Sequence, residues 1–342
     1  MPIGLRGVGK TVLLNRFDLM AQEEGLVRAF IEAPETGDFE HLLAARLRSI
    51  LLELDRGTVS QAVKRALGTL KSFSYNLPDG TSISLNVDPI AGSADSGVLA
   101  EDVTDLLVSV GEAANDRSRG LLLAIDEVQY LADTELAALI SAVHRTVQLS
   151  LPVILVGAGL PQLPGLAGNA KSYAERLFDF PEIGSLGDDD ARTVLSAPAR
   201  AQGVEFASPA LDRLLQYTQG YPYFLQEWGY HVWNAAPESP ITLDDVLLAS
   251  LDVQRRLDEN FFRVRMDRLT PAEKQYLAAM AELGAGPHRS GDIAAKLGVK
   301  VESVAPRRSG LIRKGMVYSP AHGDTAFTVP MFDDFLRRSQ SN

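Results

Sequence analysis

One short stretch limits the fold of this chain more than any other. Residues 4–11 read Gly-Leu-Arg-Gly-Val-Gly-Lys-Thr and match the pattern G-x-x-x-x-G-K-[ST] at every fixed position. Such a loop turns its backbone N–H groups towards phosphates, while Lys10 reaches the terminal phosphates and the Thr11 hydroxyl can bind Mg²⁺. The following residues predict a helix, whose N-terminal dipole also favours an anion. The candidate phosphate-binding residues are Gly4, Leu5, Arg6, Gly7, Val8, Gly9, Lys10, Thr11 and Val12.

A second motif lies further along the chain. Residues 121–125 form a short, continuous apolar run that ends in Asp126 and Glu127. Such a run is typical of a parallel strand that is buried on both faces. We expect Asp126 to hold Mg²⁺ and Glu127 to polarise an attacking water. The two acidic residues could instead cap the next helix, but the loop upstream favours the first interpretation.

Composition narrows the class of protein. A chain of 342 residues is long enough for two or three domains. It contains no cysteine, which excludes disulfides and thiolate metal sites and predicts a reducing, cytoplasmic location. No apolar run approaches the roughly 18 residues of a membrane span, so we expect no membrane contact. The net charge of −11 argues against general coating of nucleic acid.

The order of predicted elements indicates an α/β fold. Strands are predicted at 27–31 and 151–156, and helices at 39–54, 99–114 and 135–149. Period-two alternation on both sides of a Pro-Asp-Gly turn predicts an inserted β-hairpin at about 73–88. From about residue 186 the pattern becomes helical, with a dense group of aromatic residues that we expect to pack within the helices rather than to stack on bases.

The motifs in this order resemble those of the AAA+-related P-loop ATPases, and within them the STAND and origin-recognition-like archaeal-type ATPases. The resemblance rests on four segments. They are the glycine-rich loop at 4–11 (Walker A), the apolar strand with its acidic pair at 121–127 (Walker B), the sequence 157–161 (Gly-Ala-Gly-Leu-Pro) and the sequence 220–222 (Gly-Tyr-Pro). It implies ATP and Mg²⁺ as cofactors and a P-loop NTPase parallel sheet with helices on both faces. An all-helical lid and a C-terminal winged helix-turn-helix domain would follow. The domains are expected at 1–185, 186–265 and 266–342.

The same resemblance assigns roles to three further residues. Tyr221 and Pro222 would pack against the adenine. Arg176 would act as a finger towards the nucleotide of a neighbouring subunit, which implies a homo-oligomer, although it could equally be a surface arginine paired with a carboxylate.

Two features depart from the family pattern. In the family, a polar sensor residue is frequent after the strand that corresponds to 151–156. Here that position offers only Gly157, Ala158 and Gly159. In addition, only three residues precede the loop, where a buried strand is expected. We therefore expect a chain that is shortened at its N-terminus or begins from a misassigned start codon, with nucleotide binding placed in question.

The C-terminal segment has its own signature. Residues 285–342 carry nine Lys and Arg against five Asp and Glu, whereas the remainder has a net charge of −15. Residues 290–299 resemble the first helix and turn of a helix-turn-helix, and residues 301–314 its recognition helix. Two short strands after residue 315 would form a wing. The candidate contacts to double-stranded DNA are Arg307, Arg308, Arg313 and Lys314.

Two functions remain compatible with the sequence. The first is an ATP-hydrolysing switch that couples nucleotide state to a DNA-binding winged helix. The second is a non-hydrolysing interaction module whose winged helix docks DNA or a protein. Lys10, Thr11, Asp126 and Glu127 favour the first, whereas the apolar sensor position and the missing strand favour the second.

Overall fold

The computed structural model describes residues 1–35, 37–56, 60–75, 87–284, 286–321 and 323–340. It divides into two compact units. The first contains residues 1–3 and 10–182, and the second contains residues 4–9 and 183–342. The phosphate-binding loop motif is therefore divided between the units after Gly9.

The first unit is an α/β fold built on a parallel sheet. Its strands are β1 (Val27–Glu32), β2 (Leu121–Asp126) and β3 (Val153–Gly157), hydrogen-bonded in that order. Its helices are α1 (Lys10–Glu23), α2 (Phe39–Leu54), α3 (Gln61–Tyr75), α4 (Leu99–Asp116), α5 (Asp133–Gln148), α6 (Leu163–Ala170) and α7 (Ala174–Leu177). A short 3₁₀ helix, Val128–Tyr130, follows β2.

The central strand of this sheet explains the apolar run in the sequence. Every residue of β2 is buried, because β1 and β3 flank it and helices cover it. Before the loop, Ile3 forms isolated parallel bridges with Gly159 and Glu182. The residues that precede the loop thus contribute a single paired residue, rather than the buried strand that usually precedes such a loop.

The predicted strands and the helix α2 are confirmed, but the predicted hairpin is wrong where it can be checked. Phe73 and Tyr75 belong to helix α3, and Val87 and Asp88 belong to no strand, while residues 76–86 lie outside the described residues. The buried apolar positions of α3 recur at helical spacing, at Val63, Leu67 and Leu70 and again at Phe73. This longer period outweighs the brief alternation around residue 74.

The second unit is mainly helical. Its first helices are α8 (Asp188–Ala201), α9 (Ser208–Thr218), α10 (Pro222–Ala235) and α11 (Leu243–Arg256), continued by a π-helical segment, Leu257–Arg263, and by α12 (Val264–Asp267). The C-terminal elements are α13 (Pro271–Leu283), β4 (His288–Arg289), α14 (Ser290–Leu297), α15 (Val301–Arg313), β5 (Val317–Tyr318), β6 (Asp324–Phe327) and α16 (Phe332–Gln340). The strands form an antiparallel sheet in the order β4-β6-β5.

One apolar core holds the second unit together. It extends from Phe224 and Trp228 in α10 through Phe262 to Phe332 and Phe335 in α16. The Trp228 indole N–H donates to the Ser250 hydroxyl at 3.0 Å, so that its polar atom is satisfied within the core. The sequence predicted that the aromatic residues between Tyr217 and Trp233 pack among the helices. This is confirmed for Tyr221, Phe224 and Trp228, which are buried, whereas Tyr230 and Trp233 are exposed.

The start of α13 illustrates how the sequence fixes a boundary. The Thr270 hydroxyl accepts a hydrogen bond from the Glu273 N–H at 3.3 Å, and the Glu273 carboxylate accepts one from the Thr270 N–H at 2.7 Å. This is a capping box, with Pro271 at the first helical position.

Among the described residues, no helix is long and apolar enough to cross a bilayer.

Candidate nucleotide-binding site

In the first unit, the two predicted metal ligands lie beside each other. Thr11 is the second residue of α1, and Asp126 is the last residue of β2. The Thr11 hydroxyl donates to Asp126 Oδ2 at 2.5 Å. Lys10, which begins the same helix, is 5% exposed, and Asp126 is 4% exposed. Residues that are 115 positions apart in sequence therefore meet at the carboxyl end of β2.

This pair suits Mg²⁺. Magnesium prefers hard oxygen ligands, and proteins hold it through one or two carboxylates together with substrate phosphates and water. A hydroxyl and a carboxylate at the end of a parallel strand provide that donor set. The described residues contain no cluster of three or more His, Cys, Asp or Glu side chains that would hold a metal without a phosphate ligand.

Glu127, the predicted base, has an unusual backbone. Its φ of 53° and ψ of 39° lie in the left-handed region, which is rare for a residue other than glycine. Its N–H donates to Asp126 Oδ1 at 2.8 Å, and its carboxylate accepts a hydrogen bond from the Gln129 amide. The first contact holds the backbone of Glu127 next to Asp126, and the second orients its carboxylate.

Gln129 is a site residue that the sequence analysis missed. Its Oε1 accepts a hydrogen bond from the Leu160 N–H at 3.0 Å, so the amide connects Glu127 to the segment after β3. A Cβ on Gly159 would lie 2.8 Å from this Oε1, so a larger residue there would displace the Gln129 amide. The segment after β3 lacks a polar sensor side chain of its own, but the Gln129 amide from the segment after β2 contacts it. The sequence feature that could have indicated this residue is an amide side chain two residues after the acidic pair Asp126 and Glu127.

In the second unit, the loop Gly4–Gly9 is bound by residues distant in sequence. The Arg6 N–H donates to the Thr328 carbonyl at 3.3 Å, and the Tyr223 N–H donates to the Gly7 carbonyl at 3.1 Å. Within the described part of the chain, the N–H groups of Gly7, Val8 and Gly9 donate no backbone hydrogen bond. Consecutive N–H groups of this kind form an anion-binding concavity.

Gly7 can be no other residue in this arrangement. Its φ is +88°, and a Cβ added there would lie 3.0 Å from Tyr223 Cβ and 3.3 Å from Tyr221 Cε1. A side chain would therefore combine backbone strain with close contacts. Val8 is buried in the core of the second unit, so the loop is held by apolar packing as well.

Tyr221 contacts the loop directly. Its ring is buried and its hydroxyl donates to the Arg6 carbonyl. Burial raises the pKa of the Tyr221 hydroxyl, and it raises that of Tyr223 to about 12. Both hydroxyls are hydrogen-bond donors at neutral pH. Gly220 precedes Tyr221 at a φ of +69°, where a Cβ would collide with the Leu186 carbonyl oxygen, and Pro222 begins α10.

The other predicted site residues lie elsewhere on the two units. Val12 is exposed on α1, and Leu5 packs against the core of the second unit. Arg176 is exposed in α7, and none of the ion pairs between described residues involves it. Within the part of the chain that the structure describes, it therefore has no carboxylate partner of the kind that the alternative interpretation required.

The predicted DNA-contacting residues differ in their surroundings. The Arg308 guanidinium donates to the Thr325 and Ser319 hydroxyls at 2.8 and 2.6 Å and to the Asp324 carbonyl at 2.8 Å. Lys314 donates to the Glu273 carboxylate at 2.7 Å. Among the described residues, neither Arg307 nor Arg313 on the same helix has a recorded side-chain hydrogen bond or ion pair.

Two family models match the chain. Residues 3–156 match the AAA ATPase domain, and residues 259–336 match a domain of unknown function, DUF8462. The N-terminal part of the chain is therefore similar to AAA ATPase domains. Among curated proteins, none shows significant sequence similarity to the chain.

Several solved structures are similar over almost the whole chain. The RuvB Holliday junction branch migration motor of Thermotoga maritima is 16% identical, with a TM-score of 0.46 over 98% of this chain and 86% of that chain. Cdc6p from Pyrobaculum aerophilum is 14% identical, with a TM-score of 0.43 over 98% and 86%. The Aeropyrum pernix Orc1 protein in complex with DNA is 15% identical, with a TM-score of 0.44 over 99% and 86%.

Proposed function

We propose that this protein binds and hydrolyses ATP and uses its nucleotide state to control a DNA-binding winged helix of the STAND and origin-recognition-like type. The observation that carries the ATPase proposal is the hydrogen bond between Thr11 and Asp126. Two residues that a P-loop ATPase uses for one metal ion are adjacent, although the sequence separates them widely. The free N–H groups at Gly7, Val8 and Gly9 support phosphate binding by the loop.

The residues of the site divide the chemistry among them. In the first unit, Lys10 would neutralise the terminal phosphates. In the second unit, Tyr221 and Pro222 are the residues to which the family resemblance assigns contact with the adenine. Glu127 orients the attacking water, and Gln129 fixes the Glu127 carboxylate. Thr11 and Asp126 would hold Mg²⁺, which when bound withdraws charge from the β- and γ-phosphates. Most of the rate enhancement in phosphoryl transfer comes from such positioning and charge stabilisation.

The contacts of the loop support coupling to the C-terminal segment. Arg6 in the loop is bonded through its N–H to Thr328, which follows β6. The α14–α15 pair with the β4-β6-β5 sheet has the element order of a winged helix. A change in the loop on nucleotide binding would therefore reach that segment through the hydrogen bond between Arg6 and Thr328.

A non-hydrolysing docking module is the second candidate. It is favoured by the internal hydrogen bonds of Arg308 and by the pairing of Lys314 with Glu273, because these two cations are already engaged within the chain. Such a module would still bind nucleotide but would not turn it over.

Two substitutions distinguish the candidates. Lys10→Ala should abolish binding of a fluorescent ATP analogue, because it removes the cation that neutralises the phosphates. Glu127→Gln should keep this binding but lower the rate of phosphate release by roughly 10²- to 10⁴-fold, as loss of a general base does. Lys64→Ala, which removes an exposed lysine on α3, is the control and should change neither quantity. Hydrolysis at the parent rate by Glu127→Gln would refute the catalytic assignment, and binding without any turnover by the parent chain would favour the docking module.

A further inference from the structure

A small cavity in the second unit is surrounded by positive charge. It has a volume of about 200 Å³ and is lined by Arg6, Arg265, Arg268 and Lys314 together with three apolar residues. None of the described residues that line it is acidic. Lys10, the phosphate-contacting lysine of the proposed ATP site, is not among them. Arg6 belongs to the proposed phosphate-binding loop, whereas Arg265, Arg268 and Lys314 are cations that the proposed ATPase chemistry does not use.

The protein fixes Arg265 and Lys314 rather than leaving them as mobile surface groups. Arg265 lies over the Phe261 ring, with its guanidinium carbon 3.7 Å from the ring centroid, and donates to the Phe261 carbonyl at 2.7 Å. Lys314 Nζ donates to the Arg268 carbonyl at 3.1 Å as well as to Glu273. Side chains that are already ordered lose little entropy when they bind a ligand.

The Arg6 guanidinium lies close to the backbone of Gly315. A Cβ on Gly315 would lie 2.4 Å from Arg6 Nη2, and Gly315 has a φ of +63°. The guanidinium therefore rests against the backbone at the end of α15, in the space that any other residue would fill. Gly315 is required both by its conformation and by this close approach.

The pKa of Arg265 reflects the positive charges that surround it. Burial lowers the pKa of Arg265, and the neighbouring charges of Arg6 and Arg268 lower it further, while Tyr223 and Tyr221 oppose the shift. Like charges that are brought together in a partly buried place repel one another, and a bound anion would relieve this repulsion.

We propose that this cavity binds a small phosphate-bearing anion through Arg265, Arg268 and Lys314, which lie outside the proposed ATP loop, together with Arg6 of that loop. Three arginines provide planar donors that match phosphate oxygens in pairs. A cavity of about 200 Å³ is smaller than the roughly 300–1,000 Å³ of sites for drug-sized ligands. It admits phosphate groups, whereas a nucleoside would remain outside.

Calorimetric titration with inorganic pyrophosphate, in buffer without Mg²⁺ and nucleotide, tests this site. Lys10→Ala serves as the background, because it silences the proposed ATP loop. We expect this variant to bind one pyrophosphate per chain. Adding Arg265→Gln and Arg268→Gln should raise the dissociation constant at least roughly tenfold, since each lost charge-assisted hydrogen bond is worth that much or more. The control adds Arg256→Gln and Arg263→Gln, which remove two exposed arginines nearby, and should change it by less than about twofold.

Each other outcome contradicts the proposal. No binding by Lys10→Ala would assign all phosphate binding to the loop. An equal loss in the control would indicate general charge attraction. Displacement of pyrophosphate by a short DNA duplex would assign the cations to the DNA backbone. If the variant with both cavity substitutions does not fold, Arg268→Gln alone decides, because its exposed side chain is not part of the core, and an unchanged dissociation constant would overturn the site.

Discussion

At the scale of single residues, Asp126 organises the candidate ATPase site. One carboxylate oxygen receives the Thr11 hydroxyl and the other receives the Glu127 N–H. The second bond stabilises Glu127 in its left-handed conformation, which costs on the order of 1–3 kcal/mol for a residue other than glycine. Gln129 then holds the Glu127 carboxylate. The orientation of the proposed base therefore depends on Asp126, the proposed metal ligand, and on Gln129.

Gln129 provides a test of this arrangement. Gln129→Leu should lower kcat for ATP hydrolysis roughly 10- to 100-fold, because a misplaced catalytic group loses activity on this scale. KM should change little, since Gln129 contacts Glu127 and the backbone rather than nucleotide. The measurement is steady-state phosphate release across ATP concentrations. Gln148→Leu, at the exposed end of α5, is the matched control. A rise in KM at constant kcat would place Gln129 in binding instead.

Glu273 is a second residue whose surroundings determine its charge. Its side chain is 9% exposed, and Gly310 in α15 leaves room for the carboxylate, because a Cβ there would lie 2.7 Å from Oε1. Burial opposes ionisation, but hydrogen bonds from Lys314 and Thr270 prevail and hold the pKa of Glu273 below its ordinary value. The folded state thus binds this proton less readily than the unfolded state does.

A depressed pKa stabilises the fold only while the group is ionised. The contribution of Glu273 should be complete above its ordinary pKa of 4.5 and should disappear as the pH falls through the lower folded value. At pH 7, Glu273→Gln should lower the free energy of unfolding by about 1–3 kcal/mol, and this difference should shrink towards pH 3. Urea unfolding followed by tryptophan fluorescence reports on this unit, because both tryptophans lie in α10.

The control for this prediction is an exposed ion pair. Glu282 pairs with Lys296 at 2.6 Å, and both side chains are more than 40% exposed. Glu282→Gln should therefore cost less than about 1 kcal/mol at any pH. A Glu273→Gln difference that is independent of pH would show that the lost packing, rather than the charge, is responsible.

At the scale of elements, α15 carries two kinds of arginine. Arg308 ties the helix to the segment from Ser319 to Thr325 through three hydrogen bonds, whereas Arg313 is exposed and Arg307 is partly exposed. The first is a structural contact within the proposed winged helix. The other two are available to phosphate groups of DNA. Helix α15 can therefore serve both the fold and a ligand with residues that are close in sequence.

If α15 contacts DNA, Arg307→Ala combined with Arg313→Ala should weaken binding and reduce the salt dependence. Each phosphate contact contributes about −0.9 to the slope of log K against log salt, so the slope should fall by about two contacts. Fluorescence anisotropy of a labelled duplex across a salt series measures this. Arg255→Ala with Arg256→Ala on α11 is the charge-matched control. An equal effect of the control, or no binding at low salt, would favour protein docking.

At the scale of the whole molecule, Arg176 raises the question of assembly. It is exposed and has no recorded ion pair among the described residues, so it is free to reach another chain. If it acts on a neighbouring subunit's nucleotide, the specific ATPase activity should rise with protein concentration. Arg176→Ala should be inactive alone and partly rescued by mixing with Lys10→Ala, because each variant supplies what the other lacks.

Sedimentation and ATPase assays over the same concentrations test this role. Arg145→Ala, an exposed arginine on α5, is the control and should behave as the parent chain does. A particle that stays monomeric with ATP, with a rate strictly proportional to enzyme concentration, would exclude a finger acting between subunits.

The sequence by itself determined those features that depend on local patterns. The loop motif, the apolar strand β2 ending in Asp126, the helix α2 and the capping box at Thr270 follow from spacing, burial periodicity and side-chain chemistry within a few residues. Each could be predicted because a single segment contains all the residues that specify it. The hairpin prediction failed at Phe73 because three alternating residues were given more weight than the longer helical period of α3.

Only the tertiary structure decided which distant residues meet. Thr11 and Asp126 are 115 positions apart, Tyr221 and Arg6 are 215 apart, and Lys314 and Glu273 are 41 apart. No local pattern encodes these pairs, because they arise when strands and helices pack. For the same reason the sequence did not reveal Gln129 beside Gly159, the internal bonds of Arg308 or the cavity that brings Arg6 to Arg265. The sequence pattern indicated which side chains are candidates for the site, whereas the packing of strands and helices determined which of them are in contact.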